Sequence, residues 1–100
     1  MKFTVEKIAS VVPSIRAEIA RELVNSYNYS QQDVSILLGV SQPAISQYVR
    51  QLRGQRYFSN ETVKKGIMDI CEKLTKGKKD ELEQDIYNLS KFIADTQARQ

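Results

Sequence analysis

The chain has no histidine and no tryptophan, a single cysteine, two prolines and four glycines among its 100 residues. Without histidine there is no imidazole base, and neither a Ser-His nor a Cys-His pairing can be assembled. One cysteine and no histidine leave too few soft ligands for a zinc site. Cys71 alone cannot close an internal disulfide, which fits a reducing compartment. Gly39, Gly54, Gly66 and Gly77 are scattered singly, so there is no glycine-rich phosphate loop. No apolar run approaches the roughly 18 residues that a bilayer span needs, and the opening MKFTVEKIAS lacks an apolar signal core. The expectation is a cytoplasmic chain that is not an enzyme, needs no cofactor or metal and does not enter a membrane.

What is present is ordinary in amount but uneven in placement. The content is 41% hydrophobic and 27% charged, as in soluble globular proteins, and the length suits one domain with a modest core. The net charge is +3. Residues 1–60 hold seven Lys/Arg against four Asp/Glu, whereas residues 61–100 hold eight of each, so the whole excess lies in the first segment. Arg50, Arg53 and Arg56 cluster without an acid nearby, a placement suited to phosphate contacts, although any one of them also fits a plain solvated surface.

The stretch QQDVSILLGVSQPAISQYVR, from Gln31 to Arg50, concentrates the local signals. A helix is expected from Gln31 to Leu38, with Val34, Leu37 and Leu38 apolar and the small Ser35 facing a partner helix. Gly39 falls where the chain must reverse and a left-handed residue is needed. Val40 plugs the corner. Ser41 can cap a second helix whose Ile45, Tyr48, Val49 and Leu52 follow the spacing of a buried stripe. Its outward face is Gln42, Pro43, Ser46, Gln47, Arg50 and Arg53, which apart from the apolar Pro43 are short or forked hydrogen-bonders that suit base edges in a major groove.

This arrangement reads as a helix-turn-helix. The run Gly39-Val40-Ser41-Gln42-Pro43-Ala44-Ile45-Ser46 resembles the turn and recognition helix of phage Cro and repressor proteins. More broadly, Pro13-Ser14-Ile15-Arg16 through Arg53-Gly54 is similar to a family of small archaeal helix-turn-helix transcriptional regulators. The likeness covers a little over 40 of the 100 residues well. It implies base contacts from Ser41, Gln42, Pro43, Ser46, Gln47 and Arg50, and a role in transcription regulation.

The flanks complete an all-α expectation: a helix-turn-helix core over 1–58 and appended C-terminal amphipathic helices over 59–100, in one compact domain. Residues 2–12 fit either a short helix or an extended arm; the short helix is preferred, and it is expected to stop before Pro13 because the residue before proline disfavours the α region. Proline suits a first turn, so a helix is expected from Pro13 to about Tyr27, burying Ile15, Ile19, Leu23 and Val24 and turning Arg16, Glu18, Arg21 and Glu22 to water. Asn28 is a plausible left-handed stop, and Ser30 with Asp33 resembles a capping box. Tyr57 and Phe58 should anchor a loop to the core. Ser59 or Asn60 can cap a helix to about Lys76, with Val63, Ile67, Ile70, Cys71 and Leu74 aligned. Gly77-Lys78-Lys79 breaks it, and Asp80 with Glu83 offers a second capping box for a helix over 80–95.

The functional expectation is a sequence-specific binder of double-stranded DNA acting as a homodimer. Gln42 and Gln47 can pair with adenine, Arg50 can fork onto guanine or reach a phosphate, and Pro43 can touch a thymine methyl. Backbone contacts are expected from Gln31 at a helix start, from Arg53 and Arg56, and from Lys64 and Lys65. One recognition helix reads few base pairs, so pairing is expected, through Leu82, Ile86, Leu89, Phe92 and Ile93. The 61–76 helix fits either the monomer core or that interface. A small-molecule effector, if any, would have to bind between helices. Two rivals stand beside this reading: an antitoxin-like module whose C-terminal helices wrap a partner protein, and a sequence-neutral chromatin protein, which would carry far more lysine.

Overall fold

The computed structural model describes residues 5–51 and 56–98. Among them the protein is all-helical: α1 (Val5–Asn25), α2 (Gln31–Leu38), α3 (Gln42–Arg50), a 3₁₀ turn at Arg56–Ser59, α4 (Glu61–Thr75) and α5 (Leu82–Ala98). No helix among the described residues is long and apolar enough to cross a membrane.

Helix α1 is the hub, packing against α2, α3, α4 and α5 in turn. Being surrounded explains its middle, where Ala17, Glu18, Ile19 and Ala20 are all buried in succession. A helix is buried all round only when neighbours cover every side. The two alanines allow those neighbours to approach closely.

The expected break before Pro13 does not occur, and Pro13 lies inside a continuous 21-residue helix. An interior proline loses one backbone hydrogen bond and crowds the preceding turn, at about 3 kcal/mol. Ile8 and Val11, two turns and one turn before Ile15 on the same stripe, stay buried when the helix continues. Burying each contributes about 1.5–3 kcal/mol, enough to offset the proline, whose ring faces solvent.

The end of α1 follows the expected chemistry. Asn28 adopts φ 61°, and Tyr29 N–H bonds back to Leu23 C=O at 3.0 Å. Tyr27 packs against the core and donates its hydroxyl to Glu72 on α4 at 2.8 Å. Asn60 caps α4, its side-chain oxygen accepting from Thr62 N at 2.8 Å and Val63 N at 3.1 Å. Gly77, at φ 78°, ends it.

One apolar cluster runs from Val11 to Ile93 and joins all five helices to Phe58. Helix α4 contributes Val63, Ile67, Ile70, Cys71 and Leu74 to it, so its stripe serves the core of the chain. The same holds for α5, which corrects the expected dimer interface. Leu82, Ile86, Leu89 and Ile93 are buried within the chain, and Phe92 alone of the five reaches the surface, at 38% exposure. The physical reason is that α1 offers a long apolar flank, and covering a stripe within one chain loses none of the translational freedom that association costs.

Ion pairs fasten this arrangement. Arg16 on α1 forks onto both carboxylate oxygens of Glu83, at 2.5 and 3.1 Å. Glu83 therefore serves α1 rather than closing the expected box with Asp80, and α5 begins at Leu82. Lys73 bridges Glu81 at 2.7 Å and Asp85 at 2.9 Å, tying the end of α4 to the start of α5.

Candidate nucleic-acid interface

Helices α2 and α3 form a short hairpin whose geometry is set locally. The Ser30 hydroxyl accepts from Asp33 N at 3.0 Å and starts α2. Gly39 ends it at φ 70°, in the left-handed region that a residue without Cβ enters at little cost. Val40 packs half-buried against the core. Ser41 then accepts from Ala44 N at 3.3 Å and starts α3, with Pro43 in the first turn, where a missing N–H does no harm. Ile45 is fully buried beneath α3, and Tyr48 and Val49 flank it.

That packing leaves the opposite side of α3 to solvent. Ser41, Gln42, Pro43, Gln47 and Arg50 are exposed, and Ser46 is half-buried. Arg50 donates to the Ser46 hydroxyl, so these two form one unit on the helix surface. The six residues expected to contact bases are thus gathered on one short helix. No acid lies among them, and within residues 26–60 Asp33 is the sole carboxylate against Arg50, Arg53 and Arg56.

The expected phosphate contacts are less unified. Gln31 sits half-buried in the first turn of α2, where backbone N–H groups lack intrahelical acceptors, but Asp33 places a negative charge in the same turn. Lys64 and Lys65 are exposed on α4, which packs mainly against α1, the 3₁₀ turn and α5 rather than α3. Lys64 lies 3.7 Å from Glu61. Arg56 opens the 3₁₀ turn; its side chain, together with Leu52, Arg53 and Gly54, lies outside the described residues.

Two residues expected to face water prove to hold α3 in place. Glu18 is 5% exposed, and Arg21 donates to it at 2.8 Å. The other Arg21 terminal nitrogen donates to Tyr48 C=O at 2.7 Å and Gln51 C=O at 3.2 Å, the carbonyls at the end of α3. A helix leaves its last four carbonyls unpaired and carries partial negative charge there, so a guanidinium is well suited to that end. The sequence carries a trace of this: opposite charges three residues apart, interleaved with Ala17 and Ala20, mark a face too closely approached to be wet.

Elsewhere the titratable groups favour structure over chemistry. Burial pushes the Cys71 thiol up to about 12, so it stays protonated and inert. Among the described residues, a hollow of about 650 Å³ between α4 and α5 has Phe92 on its wall, and another, of about 250 Å³, lies beside Glu18, Phe58 and Met68. No protein-family model, curated relative or solved structure matches the chain.

Proposed function

We propose that the protein is a sequence-specific double-stranded DNA-binding transcriptional regulator, with α2, the turn at Gly39 and α3 serving as a helix-turn-helix of the kind found in phage repressors and small archaeal regulators. The observation that carries this reading is the solvent face of α3. Gln42, Pro43, Gln47 and Arg50 stand exposed on it with no carboxylate among them, over a buried Ile45. A major groove admits a helix, and glutamine and arginine offer bidentate hydrogen bonds to adenine and guanine there. Arg50 also supplies charge for the phosphate backbone.

Action as a homodimer is part of the proposal, because one short helix distinguishes too few base pairs to find a site among genomic competitors. With the α5 stripe committed to the core, the pairing surface proposed is the hollow between α4 and α5 with Phe92 on its wall, one exposed apolar site beside those at Val5, Ile36, Met68 and Tyr87. The same surface suits the antitoxin-like alternative. Sedimentation of the purified chain separates the two: a stable self-dimer supports the regulator, and a monomer that copurifies with a stoichiometric partner protein supports the alternative.

Selection of bound duplexes from a random pool tests the central reading. The expected product is an inverted repeat with half-site centres about 10 base pairs apart. Recovery of unenriched sequences would remove sequence reading from the proposal.

A further inference from the structure

We propose that Arg21 is a positioning residue for DNA reading: from α1 it grips the end of α3 and sets the tilt at which Gln47 and Arg50 meet the bases. The inference rests on the DNA-reading proposal above. Its support is geometric. A single guanidinium nitrogen spans Tyr48 C=O and Gln51 C=O, while the other terminal nitrogen is held by Glu18. The fork is thereby fixed at both ends, one on the hub helix and one on the reading helix. Tyr48 lies between Gln47 and Arg50 in sequence, so the gripped carbonyl belongs to the same helical turn as both reading side chains.

A role in stability alone explains this pair poorly. Buried ion pairs often stabilise no better than apolar groups of similar volume. The Arg21 Nε–H is moreover buried without an acceptor, a cost that a methionine in its place would not carry. What methionine cannot do is hold two carbonyls at a fixed distance and direction. Binding constellations need supporting groups of that kind, because a reading side chain displaced slightly loses its bidentate fit.

The distinguishing consequence is a loss of discrimination without a loss of general affinity. Arg21→Lys keeps the charge beside Glu18 but replaces the rigid fork with one flexible ammonium. A second variant, Glu18→Gln with Arg21→Met, removes both charges and leaves no buried ion unpaired. In each, with folding verified by circular dichroism, the ratio of affinity for the selected duplex to affinity for a random duplex is expected to fall about tenfold, while random-duplex affinity stays within about twofold. Without DNA, amide hydrogen exchange should quicken at residues 48–51 more than in α1 or α4. A wild-type chain that shows no sequence preference overturns the DNA reading itself. A wild-type chain that discriminates, beside folded variants with an unchanged ratio, overturns the role of Arg21 and leaves the DNA reading standing. Loss of the fold in both variants assigns the pair to the core and also overturns the proposal.

Discussion

Arg50 donates from Nη1 to Ser46 Oγ at 2.8 Å, one helical turn back on the solvent side of α3. The bond directs a long, otherwise freely rotating side chain along the helix axis. An exposed arginine that is already ordered loses less rotamer freedom when it meets a base or phosphate.

Ser46→Ala should therefore weaken binding to the preferred duplex by about 0.5–1.5 kcal/mol, the net worth of one such hydrogen bond. The fold should be little affected, because Ser46 is small and half-buried on the solvent side of α3 and its partner Arg50 is exposed. Anisotropy titrations beside a denaturation curve check this, and tighter binding by the variant would show that Ser46 holds Arg50 away from its target.

Gln47 and Arg56 should fail in different ways. Gln47→Ala is expected to erode preference among sites by about 1–3 kcal/mol. Arg56→Ala should weaken all duplexes alike and reduce the dependence of log affinity on log salt by about one unit of slope. Titrations at several salt concentrations on matched and scrambled duplexes read both effects, and two variants that match wild type would remove the groove assignment.

Two glycine substitutions should order themselves against intuition. A Cβ at Gly39 would meet nothing within 4 Å, yet the residue sits at φ 70°, so Gly39→Ala should destabilise by about 1–2 kcal/mol through backbone strain alone. A Cβ at Gly66 would come within 2.9 Å of Leu89 Cδ1. That methyl is the end of a flexible side chain on the wall of the hollow between α4 and α5, and alanine improves helix propensity by about 1 kcal/mol. Gly66→Ala should therefore stay within about 1 kcal/mol of wild type, since the two effects are of similar size and opposite sign. Urea unfolding of the two variants gives the ranking.

Acid should loosen the clasp between α5 and its neighbours. Hydrogen bonding from Arg16 holds Glu83 below the usual 4.5, and hydrogen bonding from Lys73 does the same for Glu81. A carboxylate depressed in the folded state contributes stability above its unfolded value, and that contribution is lost as pH falls through the folded one. Both carboxylates are largely exposed, so solvent and salt will screen the effect. The melting temperature should decline below pH 4.5, less steeply in Glu83→Gln. An unchanged slope in that variant would detach the Arg16–Glu83 pair from acid stability.

Phe92 and Ile86 lie on one helix but should report on different things. Phe92→Asp changes a surface residue and is expected to shift the sedimentation profile from dimer towards monomer with helicity intact. Ile86 is 1% exposed, so Ile86→Ala should cost about 2–5 kcal/mol of folding stability. A Phe92→Asp variant that remains fully dimeric would place the pairing surface elsewhere.

Features whose causes lie within a few residues were legible along the chain. Ser30, Gly39, Ser41, Asn28 and Asn60 mark their turns and caps because a hydroxyl, an amide or a missing Cβ acts on backbone groups two or three positions away. The helical stripes of α2 to α5 and the exposed face of α3 follow from spacing in the same way. Packing between helices settled what those stripes would meet. It carried α1 through Pro13 because Ile8 and Val11 had a core to join, and it turned the α5 stripe inward because α1 offered it an apolar flank. It also took Glu18 and Arg21 out of water to hold the end of α3. Each of these outcomes depends on a contact between residues far apart in the chain, and periodicity along one helix carries no information about which neighbour will cover it.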